Sequence, residues 1–264
     1  MKKSLIILLV AGALLACQPS DEERAAEYIT RGEQQIAAGE WNSALTTLDS
    51  VDALFPKLID ARRSAKHLKD SIAYMQAVRS LEYVDAQLTV AEQRLDSLLD
   101  IFVFEKDEKY QSTGNLFAKR LLSNGNDERS FLQAFVNEKG VPFVRSVYYG
   151  SKSLNHSDVS VSVGDEATTS VTAIKSAHAF ENHEFLTFEG DNALTLLTFV
   201  ANHTQDKIKV TLKGDGESSY VINSADAQAL AQTYELALAF ADVNTLRHNA
   251  DMAQHTIGKW ENRQ

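Results

Sequence analysis

Apolar residues recur along this chain with two different periods, and the period changes where glycine and proline begin to appear. Leu81, Val84, Leu88, Ala91, Leu95, Leu98 and Phe102 advance by three and four alternately. That spacing is the 3.5-residue repeat of a helix whose apolar stripe packs on another helix. Leu236, Ala239, Val243, Leu246, Ala250, Ala253, Ile257 and Trp260 repeat it near the other end. Neither glycine nor proline interrupts Lys57–Thr113 or Glu217–Ile257, so both stretches read as long helices. The pattern predicts one long coiled-coil helix over 59–105 and a C-terminal helix over 224–264 that pairs back antiparallel on 72–102. Two amphipathic helices of an ordinary bundle, or a coiled coil between chains, would carry the same stripe.

Between these helices the period drops to two. Val159, Val161 and Val163 alternate with Ser160 and Ser162, and Ile208, Val210 and Leu212 alternate with Lys207, Lys209 and Lys213. Alternation of this kind marks strands with one face buried and one wet. Further strands are predicted at Phe131–Asn137, Val141–Tyr149, Thr168–Ile174, Glu184–Glu189, Leu194–Ala201 and Ser218–Asn223. Asn137-Glu138-Lys139-Gly140 reads as a hairpin turn, with Gly140 supplying a positive φ. Eight short strands predict an antiparallel β domain over 131–223, closed as a barrel or packed as a sandwich, behind a connector at 106–130. The expected fold class is therefore α+β, with helices flanking an antiparallel β barrel or sandwich.

The first helical segment carries Tyr28, Gly32, Ala44, Leu48 and Pro56, with Gly39-Glu40-Trp41 in its middle. That set is similar to one tetratricopeptide repeat, and residues 25–58 are read as such a helix pair. Gly32 and Ala44 let two helices approach, and Pro56 stops the second. Arg31, Gln35 and Val51 depart from the repeat's usual residues, and the following stretch does not repeat it. A single unit cannot bury its own apolar face, so it is expected to rest on the long helix that follows. The resemblance implies a peptide groove; a structural cap is the competing reading.

The N-terminus has a separate pattern. Lys2 and Lys3 precede an apolar run, Leu5–Leu15, which suits a signal peptide and falls short of the roughly 20 residues that span a bilayer. Leu14-Leu15-Ala16-Cys17 resembles a bacterial lipobox. That resemblance implies removal of residues 1–16 and acylation of Cys17, and more than one acyl chain anchors a protein stably. Residues 17–24 then form an acidic tether, and Gln18-Pro19-Ser20-Asp21-Glu22-Glu23 is similar to the acidic export signal of surface lipoproteins. Ser20 and Glu23 also have the spacing of a helix capping box.

Charge and chemistry narrow the function classes. The formal net charge is −10 over 264 residues, and loss of Lys2 and Lys3 makes the mature chain more acidic still. Phosphate binding wants a basic footprint, so nucleic acid is not an expected partner. Cys17 is the sole cysteine, and with its sulfur acylated the fold must rest on packing without disulfides or thiolate ligands. His178 and His183 lie near Glu181 and Glu184 but match no helical metal motif. His248 and His255 share a helix face without a third ligand, and Asp206 and Asp215-Gly216-Glu217 lack the spacing of an EF-hand. Tyr148, Tyr149, Phe185, Phe188 and Phe199 read as core, with a shared pocket as the alternative. No GxSxG elbow, phosphate loop or dinucleotide fingerprint occurs. The only site residue assigned is thus Cys17, for lipidation; no catalytic residue, metal ligand or cofactor is assigned.

Four stretches, IFVFEKDEKYQSTG (Ile101–Gly114), VRSVYYG (Val144–Gly150), DKIKVTLKGDG (Asp206–Gly216) and AQTYELALAFADVN (Ala231–Asn244), look like segments of uncharacterised envelope lipoproteins from Bacteroides-like bacteria. The resemblance implies an outer-membrane lipoprotein facing the periplasm or the cell surface, held to the membrane by its N-terminal lipid. The expected role is a noncatalytic binding or scaffold module acting through the β domain on an envelope protein or glycan. The alternatives are a barrel carrying a small apolar ligand and an envelope hydrolase whose site is not visible in sequence. Cys17→Ser is expected to release the protein from the membrane fraction or stall its processing; a variant that fractionates with membranes as wild type does would refute the anchor.

Overall fold

The computed structural model describes residues 19–122, 128–165, 167–172 and 178–263, so Cys17 and the lipobox lie outside the described residues. The chain divides into two compact units, one running to Tyr83 and resuming at Asn249, the other Val84–His248. Among the described residues no helix is long and apolar enough to cross a membrane.

The first unit contains α1 (Asp21–Ala37), α2 (Trp41–Leu54), the beginning of α3 (Ile59–Leu99) and the end of α5 (Ser224–Glu261). A capping box starts α1: the Ser20 hydroxyl accepts the Glu23 N–H at 3.2 Å and the Glu23 carboxylate accepts the Ser20 N–H at 2.9 Å. Asp21, Glu22 and Glu23 also sit at the positive end of the helix dipole. Gly39, at φ +75°, reverses the chain, and α2 packs back on α1 where Gly32 has no side chain; a Cβ there would come within 2.7 Å of Leu48 Cδ2. Ala65 and Ile72 of α3 complete the small core around Leu48, Val51 and Phe55. Lys69 holds Asp49 and Asp52 at 2.8 Å each. On the other side of α3, Trp260 stacks on His67 and Tyr74, and Arg263 pairs with Asp70.

The second unit holds β1 (Phe102–Glu105), β2 (Asn115–Ala118), β3 (Phe131–Asn137), β4 (Pro142–Tyr149), β5 (Asp158–Val163), β6 (Ala167–Thr172), β7 (His178–Phe180), β8 (His183–Glu189), α4 (Asp191–Asn202), β9 (Ile208–Lys213) and β10 (Glu217–Val221). The strands form two antiparallel sheets, ordered β1-β2-β3-β4-β8-β7 and β10-β9-β5-β6. α4 lies against β4 and β8 of the first sheet and against β5 and β6 of the second. One core joins Val144, Leu186 and Phe188, Val159, Val161, Val210 and Leu212, the α4 residues Leu196, Leu197 and Val200, and Leu230, Leu236 and Val243 of α5. Leu95 of α3 is buried in the same core, with Leu88, Ala91 and Leu98 packed against it. Within this unit Arg247 meets Glu92 at 2.7 Å and Arg94 meets Asp242 at 3.6 Å, so α5 runs antiparallel to α3. The exposed ion pairs contribute little; the buried stripe holds the helices.

Two features overturn the expected barrel or sandwich flanked by helices. The strands form two open sheets instead of one closed barrel, and a helix replaces the strand expected at Leu194–Ala201 and packs against strands of both sheets, where a sandwich would set sheet on sheet. The buried positions there are Ala193, Leu196, Leu197 and Val200, a helical i, i+3, i+4, i+7 set, entered from Gly190 at φ +59°. The long helix also ends sooner than its heptads suggest. Phe102, the last residue of the apolar stripe, opens β1, and the connector at 106–130 contains β2. The β-branched and aromatic run Ile101-Phe102-Val103-Phe104 favours an extended chain, so the six-stranded sheet draws on residues well before 131. The hairpin at Asn137–Gly140 does form, with Gly140 at φ +86° and the Asn137 side chain accepting the N–H groups of Lys139 and Val141. Of the strand read at Thr168–Ile174, residues 173 and 174 lie outside the described residues.

Leu196 and Leu197 are adjacent and both buried against the core, which a strand with one buried face would not allow. Leu196→Ala and Leu197→Ala are each expected to cost about 2–5 kcal/mol in denaturant unfolding; a near-neutral result for either would contradict the placement of α4.

Candidate functional site

Successive side chains of a strand point to opposite faces, and β4 uses both of its faces for polar groups. Ser146, opposite Leu132 and Leu186, turns into the core; Arg145, opposite Gln133 and Thr187, turns away from it. Each belongs to a different cluster.

On the inner face, Ser146 Oγ lies 3.1 Å from His156 Nε2, and His156 Nδ1 lies 3.2 Å from Glu184 Oε2. A hydroxyl, an imidazole and a carboxylate in this order are the parts of a nucleophilic triad. Their surroundings give them another role. Ser146 and His156 have no exposed surface and Glu184 has 3%, so no substrate reaches the hydroxyl. The Glu184 carboxylate accepts the Ser153 hydroxyl at 2.8 Å and the backbone N–H groups of Leu154, Asn155 and His156. Asn155, at φ +47°, curls the chain so that successive N–H groups converge on one anion. Burial by itself would raise the Glu184 pKa, but the Asn155 and Leu154 N–H groups, Ser153 and His156 outweigh it and hold it down to about 2. Burial lowers the His156 pKa against the opposing pull of Glu184, so the imidazole is neutral. A carboxylate only accepts; Nδ1–H therefore donates to Glu184, and Nε2 accepts the Ser146 hydroxyl proton. The trio clamps the loop between β4 and β5 onto β8.

On the outer face the rings of Phe117, Phe135 and Phe143 follow one another across β2, β3 and β4, with centroids 4.9 and 5.0 Å apart. The Arg145 guanidinium stands 5.6 Å over Phe135 and donates to Gln133 Oε1 at 3.2 Å. Gln133 in turn donates to the Leu121 carbonyl. Arg145 is half-buried and burial lowers its pKa, yet a guanidinium keeps its charge. Among the described residues no carboxylate forms an ion pair with it.

Arg145, Asn115 and Phe117 line a cleft of about 760 Å³, walled by the chain Phe104–Glu108 and by Gln111. Local bonds shape this wall: the Asp107 carboxylate accepts the Lys109 N–H, and the Gln111 side chain accepts the Asp107 N–H, both at 2.9 Å. Phe104 lies directly over Gly114, where any Cβ would overlap its ring. The glycine is what allows the ring to settle there.

The residues singled out in the sequence scatter. His183 and Glu184 are neighbours on β8 and so face opposite ways: His183 stacks between Tyr149 and Phe185 on the outer face, Glu184 enters the inner clamp. Glu181 occupies the β7–β8 turn at φ +52°, and His178 stands opposite Phe185 in the ladder. Among the described residues no three His, Cys, Asp or Glu side chains converge on a metal position. His248 and His255 are exposed on α5, Asp206 pairs with His203, and Asp215 accepts from the Asn155 side chain. The five aromatics line no common pocket, because Tyr148 and Phe188 share one face, Tyr149 and Phe185 the other, and Phe199 belongs to α4. Arg145, His156 and Gly114 were not singled out. Only Arg145 carried a signal, as a lone charge inside the apolar run Val141–Tyr149.

The clamp makes stability pH-dependent. The folded state resists protonating His156, so stability is expected to fall as pH drops below the ordinary histidine value of 6.5. It should fall again as pH drops from 4.5, where unfolded Glu184 takes up a proton, towards the folded value of about 2. The Glu184 contribution is on the order of 3 kcal/mol at neutral pH. Glu184→Gln should therefore unfold earlier in urea at pH 7 and lose the share of the pH dependence below 4.5 that Glu184 contributes, leaving that of Asp52 and Asp158; an unchanged acid profile would exclude the clamp.

No protein-family model, no curated protein and no solved structure matches this chain, so the functional reading rests on the chemistry of these two clusters.

Proposed function

We propose that this protein is a lipid-anchored component of the cell envelope that acts as a noncatalytic binding module, with the Arg145 cleft as its recognition site. The carrying observation is Arg145 itself. Taking a guanidinium out of water costs several kcal/mol unless partners compensate, and Arg145 has one amide oxygen and one ring face. A cation left in that state beside an open cleft is a donor set in place for a ligand. Its neighbours make it rigid: the ring of Phe135 lies beneath it and Gln133 fixes its fork. The anchor rests on Leu14–Cys17 alone.

The hydrolase alternative is less well supported, because the triad-like residues sit where nothing can reach them. The apolar-carrier alternative needs a hollow closed barrel, and two open sheets sharing a core with α4 do not provide one.

Photo-crosslinking amino acids at Glu108 and Gln111, on the cleft wall, test the reading in cells. Specific adducts are expected from both positions, and Arg145→Gln should abolish them while leaving the level of folded protein unchanged. Adducts that persist in Arg145→Gln, or that arise equally from a control position at Thr256 on α5, would overturn it.

A further inference from the structure

We infer that β1 is an interface for a second copy of this chain. The two copies pair edge to edge and antiparallel through β1, so that two six-stranded sheets continue into one another. The inference goes beyond the binding reading above, because it concerns the margin of the sheet and not the cleft on its outer face.

The first observation is an open edge. β1 (Phe102–Glu105) ends the strand order of its sheet and pairs with β2. Among the described residues its backbone bonds to β2 and to no other strand or loop. Every second residue of such a strand therefore turns its N–H and C=O away from the sheet. Edges of this kind are ordinarily blunted by shortness, charge or polar side chains. The other outer strands follow that rule: β7 has three residues, β6 is mostly serine and threonine, and β10 opens Glu-Ser-Ser. β1 reads Phe-Val-Phe before its one charge, Glu105.

The second observation is where the core layer stops. The ladder sets Phe104 opposite Leu116, and Leu116 opposite Val136, on the core side of the sheet. Exposure rises along that row from 0% at Val136 and 8% at Leu116 to 52% at Phe104. The apolar layer thus runs to the margin and ends there with a ring in solvent. What buries it is an apolar side chain on the same face of one further strand.

The third observation identifies that strand. Antiparallel neighbours set side chains of the same face opposite each other, and a two-fold contact must be self-complementary. With Val103 on the two-fold axis, Phe104 of each copy meets Phe102 of the other, and Ile101, 39% exposed, meets Glu105. On the outer face the row Phe135, Phe117, Val103 continues into its counterpart. The same register brings the exposed Asp100 of each copy to Lys106 of the other, opposite charges at both ends of the paired segment. At home Lys106 is held loosely, 3.7 Å from Glu108. Moving the axis to Phe102 would set Asp100 against Phe104, and moving it to Phe104 would set Lys106 against Phe102. The stretch Asp100–Lys106 is in this sense its own antiparallel partner; an unrelated peptide would match it only by coincidence. Strands this short bury little area, so the association is of the weak class. Copies held on one membrane, as the proposed anchor implies, meet at a high effective concentration.

Cysteine cross-linking of the full chain in membranes tests the pairing. Cys17 is the sole native cysteine, so the wild-type chain treated alike measures the background. Val103→Cys is expected to give a cross-linked dimer with a short bismaleimide. Val90→Cys, at a residue 63% exposed on α3, is expected to give none above that background. Phe104→Lys added to Val103→Cys should cut the yield about tenfold. Asp100→Lys should cut it about fivefold, because it sets like charges at both ends, and adding Lys106→Asp should restore it. Arg145→Gln should leave it unchanged, which separates the pairing from the cleft. Asp100 is exposed, so its charge reversal reads the interface even where a substitution at Phe104 disturbs the fold. A Val103→Cys chain that stays monomeric, or that cross-links no more than Val90→Cys, would overturn the pairing. So would a dimer indifferent to both Phe104→Lys and Asp100→Lys, or an adduct to a different protein in place of the dimer.

Discussion

The buried Glu184 carboxylate is the contact on which the β unit turns. It stands on β8 and gathers donors from Ser153, Leu154, Asn155 and His156, so one side chain ties the six-stranded sheet to the loop that leads into β5. The far side of that loop is tied to the four-stranded sheet. The Leu154 carbonyl accepts the Asp215 N–H at 2.8 Å, the Ser157 N–H donates to the Lys213 carbonyl at 2.9 Å, and the Asn155 side chain reaches Asp215. Gly214 permits this approach, because a Cβ there would overlap the Leu154 carbonyl. A polar network buried this deeply stabilises only when every member is satisfied, and each member here has its partner.

With the loop held in this way, β4 can serve two purposes. Its inner residues Val144 and Ser146 complete the core and the clamp, while Phe143 and Arg145 build the outer aromatic row and the cleft. The core needs no contribution from the outer face: Phe117, Phe131, Phe135 and Val147 are buried yet belong to neither main cluster. The outer layer is a separate small cluster of rings with cations set on it, Arg145 over Phe135 and Arg129 over Phe131. Such a layer costs a chain solvation of its charges and contributes little to the main core. This asymmetry, more than any single distance, is why the outer face is the place to look for a ligand.

The helical unit follows simpler rules. A capping box starts α1, a glycine turns the chain, and Gly32 lets Leu48 reach the α1 backbone. Its polar contacts are mostly exposed pairs, with Lys69 between Asp49 and Asp52 the best-connected of them. Among its described residues no set of polar groups converges as those of the cleft do.

Local spacing was enough to find the helix pair read at 25–58, although α1 already begins at Asp21 within the stretch read as tether, and likewise the stripes of α3 and α5, most of the strands and the turn at Gly140, because each depends on residues a few positions apart. Leu14–Cys17 likewise pointed to an address through a short contiguous pattern. Where the stripe of α3 stops was harder, since Phe102 fits both a heptad and the first position of a strand. The segment Leu194–Ala201 failed for the same reason: a short apolar run has no period of its own, and only its two buried surfaces made it a helix. The division into two sheets, the clamp and the cleft were beyond local reading altogether. Ser146, His156 and Glu184 meet across 38 residues of chain, and Arg145 stands out fully only when folding brings Phe135, Gln133 and the cleft wall around it without an ion pair to it among the described residues. Sequence spacing determines which face of an element a residue occupies; what stands opposite that face is decided by long-range packing, which only the tertiary structure contains.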